Sequence, residues 1–332
     1  MKILIASPID PDAIQKLREK HNVIIYYDAT EDELKTLIQD RELLIFRSGV
    51  KISAEVMASA PELKLLIRAG SGLDNVDLDY VKKQDLDLVR IPSPSAQAVA
   101  EMSFAFMLAL SRRLFEADHS MREGRWAKYE LPGTLLAEKV LGIVGLGNTG
   151  TRVAEFGVAV GMEVIGCVEN PSVERSAEFS QKGIRLTNLE EVISTSDYVS
   201  VHVPLKDSTY HLINASVIAR MKPGAVLLNL GRGGVIDEHA LHNALDGGGP
   251  LGGAALDVHE VEKEGIMSPL ADCPNVILTP HIGATVVDTQ RQIGRRLLAV
   301  VDTYLEKSGI EVLQEKGIVD LVHFTRNYGG IK

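Results

Sequence analysis

Leu141-Gly142-Ile143-Val144-Gly145-Leu146-Gly147-Asn148-Thr149-Gly150 is the stretch that decides the fold. An apolar run over 140–144 feeds straight into Gly145-x-Gly147-x-x-Gly150, and a helical pattern follows over 151–160. Strand, glycine turn and helix in that order form a dinucleotide-binding fingerprint. The first glycine makes the tight turn, the second lets the backbone approach a pyrophosphate, and the third lets helix and strand pack closely. The phosphates then sit on the helix N-terminus, which assigns Gly145, Gly147, Asn148, Thr149 and Gly150 to a nucleotide site. The plain alternative, a glycine-rich turn without a ligand, fits the strand and helix context less well.

Outward from this turn the chain alternates. Strands are predicted over 140–144, 163–167, 198–201, 225–228, 253–256 and 276–278, a Rossmann-like series. Before it, strands are predicted over 2–6, 23–27, 43–46, 63–67 and 86–89, with helical patterns over 11–20, 31–39 and 53–60. Alternation of this kind implies parallel sheets covered on both faces. Ile91-Pro92-Ser93-Pro94-Ser95 reads as an extended boundary, since the residue before each proline is held out of the helical region. A long apolar helix is expected over 98–121, and another over 286–307 that returns to the first lobe. The expected architecture is α/β: two Rossmann-like or flavodoxin-like parallel-sheet domains with a cleft between them. Residues 1–95 with 286–332 would form a discontinuous substrate-binding domain, and residues 96–285 the dinucleotide-binding domain. Near the end, 318–324 reads as a strand and 327–330 as frayed.

Composition narrows the function classes. The 332 residues suit about two domains. A net charge of −10, with no basic run, argues against nucleic acid or an anionic membrane as the partner. Two cysteines, Cys167 and Cys273, make a disulfide framework unlike this chain and favour a cytoplasmic setting. The N-terminus enters a strand directly, without a signal-peptide pattern, and the apolar run 104–110 is too short to span a bilayer. The reading includes no metal site.

Open α/β sheets bind ligands beyond the carboxyl ends of their strands. The polar residues expected there are Glu169, His202, Arg232, Asp257 with Glu260 and Glu262, and His281, and earlier Arg47-Ser48 and Arg68 before Gly70-Ser71-Gly72. Histidine at 281, after a strand that ends at Pro280, can shuttle a proton near neutrality. A nearby carboxylate would favour its charged form and orient the ring. Arg232 lies in Asn229-Leu230-Gly231-Arg232-Gly233-Gly234, where glycines let a ligand come close and the guanidinium fork matches a carboxylate. Singly, each has a bland reading: a structural hydrogen-bonder, a solvated arginine, one glutamate of an exposed charge run. His119, His239, His242 and His259 lack such a context and read as ordinary.

Together these segments carry a resemblance. Phe46-Arg47-Ser48, Arg68-Ala69-Gly70-Ser71-Gly72-Leu73-Asp74-Asn75-Val76-Asp77, the fingerprint, Gly231-Arg232-Gly233-Gly234-Val235-Ile236-Asp237, Gly253-Ala254-Ala255-Leu256-Asp257-Val258 and Thr279-Pro280-His281-Ile282-Gly283-Ala284 occur in one order. The chain resembles the D-isomer-specific 2-hydroxyacid dehydrogenases, and among them the short-form phosphoglycerate dehydrogenases, from about residue 2 to 305. The resemblance implies NAD-linked hydride transfer between a 2-hydroxy acid and a 2-keto acid, with 3-phosphoglycerate as the first choice and glyoxylate or hydroxypyruvate reduction as the alternative. It places the catalytic arginine, glutamate and histidine on Arg232, Glu262 and His281. Cofactor contacts are implied at Ser71, His202, Val203, Leu230, Gly231, Asp257, Gly283 and Ala284 besides the fingerprint and Glu169. Substrate contacts are implied at Arg47, Ser48, Ser71 and Gly72, and either Arg47 or Arg68 could hold a phosphate. Related enzymes are dimers, which implies a homodimer. A non-enzymatic dinucleotide-sensing corepressor shares the fold and is the competing reading, although it has no need of the three catalytic residues.

Several positions depart from the family pattern. Val168 stands where an acid normally binds the adenosine ribose, and Glu169 follows one residue late. With Glu174 nearby, this still favours NAD over NADP. Lys263 replaces a proline after Glu262, which predicts a less fixed glutamate, while Leu230-Gly231 and Ser95 replace Cys-Ala and asparagine. No regulatory domain is expected beyond the tail.

Overall fold

Parallel strands buried on both faces need apolar residues at every position rather than alternate ones. The strand Leu43–Phe46, LLIF, is of that kind, with all four residues buried. The computed structural model describes residues 1–246, 249–306, 310–315 and 317–323. The chain divides into two units, Met1–Ala96 with the chain from Thr285 onward, and Gln97–Ala284.

The first unit holds β1 (Lys2–Ile5), β2 (Asn22–Ile25), β3 (Leu43–Phe46), β4 (Leu65–Arg68) and β5 (Asp87–Arg90), parallel in the order β5-β4-β3-β1-β2. This is a flavodoxin-like order, with its switch point between β1 and β3. Alternation along each strand sends side chains to opposite faces. Ile3, Ile5, Leu43 and Ile45 join one core cluster, and Leu4, Leu44 and Phe46 join the other.

The second unit holds β6 (Val140–Val144), β7 (Glu163–Cys167), β8 (Ile184–Leu186), β9 (Tyr198–Val201), β10 (Val226–Asn229), β11 (Gly253–Leu256) and β12 (Val276–Leu278). They lie parallel in the order β12-β11-β10-β9-β6-β7-β8. This is the Rossmann order extended by one strand, with the switch point between β6 and β9. The glycine turn leaves β6 at that point. β13 (Asp320–His323) adds to the first sheet antiparallel to β5, and Asp320 pairs with Arg90 at 2.9 Å.

Two expectations are corrected, and one strand is added to those read from the sequence. The strand β8 escapes sequence reading because it has three residues at a sheet edge, only one of them buried. The segment 91–95 is not extended throughout: a helix begins at Ser93 and runs to Ser111, with Pro94 in the first turn. Proline is tolerated there because its missing N–H would have had no intrahelical partner. The helix expected to continue to 121 is broken into Ser93–Ser111 and Leu114–Arg122. At the break Arg113 adopts φ +49°, its guanidinium reaches Glu116 and the carbonyl of Glu130, and Thr134 N–H caps the Ser111 carbonyl at 2.8 Å. Continuous apolarity cannot register a break imposed by a returning chain.

The helix Val287–Glu306 closes the first unit. Ile293, Leu297, Val300 and Val301 are wholly buried, and their spacing puts them on one helical face. At Gly294 the helix approaches Asp10 and Ala13, where a Cβ would lie 2.8 Å from the Asp10 Cβ. Lys307, Phe324 and the stretch 327–330 lie outside the described residues. Among the described residues no helix is long and apolar enough to cross a membrane.

Leu297→Ala removes a fully buried side chain from this seam, and urea unfolding of the variant is expected to show a loss of about 2–5 kcal/mol. A loss below about 0.5 kcal/mol, the range of ordinary surface substitutions, would show that the helix does not seal this core.

Candidate active site

The glycine turn builds an open-fronted cradle. Gly145 has φ +98°, and a Cβ there would lie 2.8 Å from Val203 Cγ1. A Cβ on Gly150 would run into the Gly145 carbonyl oxygen. Gly147 is the N-cap of the helix Asn148–Ala159, and no side chain caps that terminus. Helices starting after Asp10, Thr30, Ser172, Asn188 and Asp237 are each capped by those side chains. A Cβ on Gly147 would meet nothing within 4 Å. Uncapped N–H groups of the first turn, which includes Asn148 and Thr149, therefore face open space, the arrangement that binds a phosphate.

The neighbouring strand ends complete this side. After β9, His202 places Nε2 2.8 Å from Ser200 Oγ, while its buried Nδ1 has no partner. Burial pushes its pKa down to about 4, so the ring is neutral. After β10, Leu230 is buried, and Gly231 packs so closely that a Cβ would lie 3.1 Å from the Val201 carbonyl. Glu169, beyond β7, is exposed and pairs with Lys206 at 3.1 Å. Arg175 stacks on Phe179 instead of turning toward Glu169.

Arg232 is set by a buried asparagine. Asn229, 1% exposed, donates to the Arg232 carbonyl at 2.9 Å and accepts from Gly231 N–H at 3.1 Å. The guanidinium of Arg232 reaches back to the Gly231 carbonyl at 2.7 Å.

His281 is set by a buried aspartate. Asp257, 1% exposed, accepts from Thr279 Oγ1 at 2.6 Å and from the N–H groups of Ile282 and Gly283 at 2.8 Å each. Its own carbonyl accepts the His281 N–H at 2.8 Å. Thus Asp257 fixes the turn that carries His281, Gly283 and Ala284. His281 itself has φ +54°, a conformation for which histidine is among the better-suited residues besides glycine.

The His281 ring sits with Nδ1 2.8 Å from Glu262 Oε2. The other carboxylate oxygen, Oε1, accepts His259 N–H at 3.2 Å. Partial burial raises the Glu262 carboxyl, but the bond and charge of His281 outweigh it and hold the pKa below its ordinary value. Two bonds therefore fix Glu262 despite Lys263 beside it, contrary to the looseness expected from the missing proline. No described residue bonds His281 Nε2. Beside the pair opens a cavity of about 730 Å³, lined by His259, Glu262, Ile266, Met267, Leu278 and His281 among others. A carboxylate-oriented imidazole with one free nitrogen can take or give a proton at that nitrogen.

In the first unit, Arg47 and Ser48 follow β3. Arg47 N–H is held by Ser7 Oγ at 3.0 Å and its carbonyl by Asn75. Its guanidinium is half-buried, which pulls its pKa down, and forms no ion pair among the described residues. Arg68 is a different case: it is buried and donates to the Gly72 carbonyl at 2.8 Å. It braces the Gly70–Gly72 loop, against the expectation that it could hold a phosphate. Ser71 Oγ donates to the Pro92 carbonyl at 3.3 Å.

Sequence reading passed over His259, Glu238 and Asn229. His259 looks ordinary because its contacts lie 20 residues away at Thr279, and Glu238 looks like a helix-capping acid on a surface. Among the described residues no group of three or more histidines, cysteines or acids could hold a metal ion.

Residues 104–283 match the family model for the D-isomer specific 2-hydroxyacid dehydrogenase, NAD binding domain. A hydroxypyruvate reductase of Thermotoga maritima is 36% identical over 301 residues, covering 90% of this chain and 96% of that protein. A D-3-phosphoglycerate dehydrogenase of Methanocaldococcus jannaschii is 36% identical over 294 residues, 89% of this chain but 55% of that one. The chain thus spans about half the length of such phosphoglycerate dehydrogenases and nearly all of the reductase. The crystal structure of D-lactate dehydrogenase from Aquifex aeolicus, complexed with NAD and lactic acid, superimposes with a TM-score of 0.82 at 30% identity, covering 96% of this chain and 98% of that one.

The left-handed backbone at residue 281 has a measurable consequence. His281→Val, β-branched, is expected to lose about 1–2 kcal/mol more than His281→Asn in urea unfolding, since both variants equally lose the pair with Glu262. Equal losses would show that the backbone there relaxes at no cost.

Proposed function

The chain belongs to the D-isomer-specific 2-hydroxyacid dehydrogenases, and we propose that Arg232, Glu262 and His281 carry its reaction on a small 2-keto or D-2-hydroxy acid. It is an NAD-dependent oxidoreductase. The fit to NAD rests on the cradle: open space at Gly147, an uncapped helix terminus, and a Gly150 that admits no side chain. When bound, NAD supplies the hydride acceptor, and NADH the donor.

The observation that carries the catalytic reading is the 2.8 Å contact between His281 Nδ1 and Glu262 Oε2. With Nδ1 on the carboxylate, Nε2 faces the reacting oxygen. In reduction, imidazolium Nε2–H protonates the oxygen that forms at C2; in oxidation, neutral Nε2 takes the hydroxyl proton. Glu262 stabilises the imidazolium and holds the ring. Because the Glu262 pKa is lowered, its contribution is present above the ordinary glutamate value of 4.5 and is lost as pH falls through the lower folded value. Arg232 grips the substrate carboxylate with its fork and polarises the reacting carbonyl.

The proposed cofactor contacts also include His202, Val203, Leu230, Gly231, Gly283 and Ala284, and Ser71 from the first unit. Asp257 is proposed to act on the cofactor side by fixing the turn of Gly283 and Ala284. Glu169 is the ribose acid, released from Lys206 when it binds. Arg47, Ser48 and Gly72 are the proposed substrate contacts of the first unit. A half-buried guanidinium without a counter-ion among the described residues calls for an anion, which supports 3-phosphohydroxypyruvate and 3-phosphoglycerate as the substrate pair, with Arg47 on the phosphate. Hydroxypyruvate and glyoxylate are the competitors.

A homodimer in the cytoplasm completes the reading. Phe115, Trp126, Tyr129 and Leu135, between 64% and 87% exposed, come from one stretch of chain, and grouped exposed apolar residues mark interfaces. Both cysteines are free, as a reducing compartment keeps them.

Purified protein should oxidise NADH with 3-phosphohydroxypyruvate faster than with hydroxypyruvate, glyoxylate or pyruvate, and faster than it oxidises NADPH. Arg47→Ala should raise KM for the phosphorylated acid alone. A preference for unphosphorylated acids would remove the phosphate from the reading, and silence on all four with NADH still bound would sink the enzyme reading. His281→Ala should abolish turnover and keep NADH fluorescence enhancement; surviving turnover would reject the catalytic assignment. Light scattering should give a mass of twice 36.1 kDa, and a single-chain mass would reject the dimer.

A further inference from the structure

We propose that His259 is the positioning residue of the site: its peptide and its ring tie together the three segments that carry Arg232, Glu262 and His281, and its ring is backed by the buried carboxyl of Glu238. This rests on the catalytic reading above.

Three contacts converge on this residue. Its N–H donates to Glu262 Oε1 at 3.2 Å. Its Nε2 lies 3.0 Å from the Thr279 carbonyl, two residues before His281. Its own carbonyl is where a Cβ on Gly233 would collide, so the turn of Arg232 packs directly on it. A peptide carbonyl only accepts hydrogen bonds, so Nε2 must carry a proton. That leaves Nδ1, which is buried and has no hydrogen-bond partner. The nearest acid is Glu238, whose Oε1 lies 4.0 Å away and whose side chain is 5% exposed.

Glu238 is itself locked. Its Oε1 accepts Glu260 N–H at 2.7 Å, and its own N–H donates to Glu260 Oε1 at 3.0 Å. Glu260 also pairs with His211 at 3.1 Å, and His211 lies 3.8 Å from Asp237. Burial raises the Glu238 carboxyl, with the bond from the Glu260 N–H, His259 and His239 opposing and the Glu260 charge assisting. The titratable groups facing His259 are therefore Glu238, Glu260 and Glu262 directly, with His281, His211 and His239 one step beyond. His259 thus sets the alignment of the pair through contacts with all three segments.

The test compares His259→Phe, which keeps the ring volume and loses the donor, with His259→Gln, whose amide N–H can still reach Thr279. The readouts are kcat and KM over a pH series, the NADH affinity, and the NMR titration of the Glu262 carboxyl, which needs no turnover. His259→Phe should lower kcat by roughly 10–100-fold, the usual effect of removing a partner that orients a reacting ligand, with NADH affinity unchanged. Its Glu262 midpoint should move up toward the ordinary glutamate value as the pair loosens. His259→Gln should recover most of both. Glu238→Gln, which removes the carboxyl behind the ring, should lower kcat in the same direction. A folded His259→Phe with unchanged kcat and Glu262 midpoint overturns the proposal. If the wild-type protein turns over no keto acid, the catalytic reading fails, and the Glu262 titration alone decides for His259. If His259→Phe does not fold, an unchanged kcat and Glu262 midpoint in Glu238→Gln overturns it.

Discussion

Asp257 carries more of this site than any residue that faces a ligand. A buried carboxylate is tolerated only when its lone pairs are filled, and Asp257 is filled by Thr279 Oγ1 and the N–H groups of Ile282 and Gly283. Those bonds are charge-assisted and therefore among the stronger ones available. They join the end of β11 to the turn after β12 and leave that turn one shape. His281 can be held at φ +54° because the backbone on both sides of it is pinned, by the Asp257 carbonyl before and the carboxylate after. Local strain of this sort persists where the surroundings over-determine it.

The rest of the second unit repeats the same economy with different groups. Asn229 does for the Arg232 turn what Asp257 does for the His281 turn, using an amide that both donates and accepts. His259 then links the two turns to Glu262. The candidate catalytic side chains are thus half-exposed tips standing on wholly buried polar anchors. A protein with a net charge of −10 still carries arginines, Arg47 and Arg232, just beyond strand ends.

Glycine plays a separate part, by leaving room. Gly145, Gly150, Gly231 and Gly233 each stand where a Cβ would meet backbone or a packed side chain, and Gly147 stands where it would fill open space. The first group lets strand ends approach one another; the last keeps the helix terminus reachable. Both are needed for a parallel sheet to expose amides at its switch point.

Much of this was legible in the sequence. Strands of near-continuous apolar residues, glycines at fixed spacing and a helix with buried residues on one face are local signals, and they predict the two parallel sheets, the fingerprint and the long helix Val287–Glu306. Residue types at strand ends nominate Arg232 and His281 by the same local logic, whereas Glu262 was singled out from its neighbouring glutamates only by the family resemblance. What only the tertiary structure decided are relations between distant residues. Arg68 became a loop brace because Gly72 O lies within its reach, the helix after Ser93 broke because Thr134 returns to cap Ser111, and His259 gained a role because Thr279 lies across the strand end from it. Periodicity and spacing report which face a residue takes along its own element; which partner waits on that face depends on how far strands pair and turns return, and no local pattern encodes that.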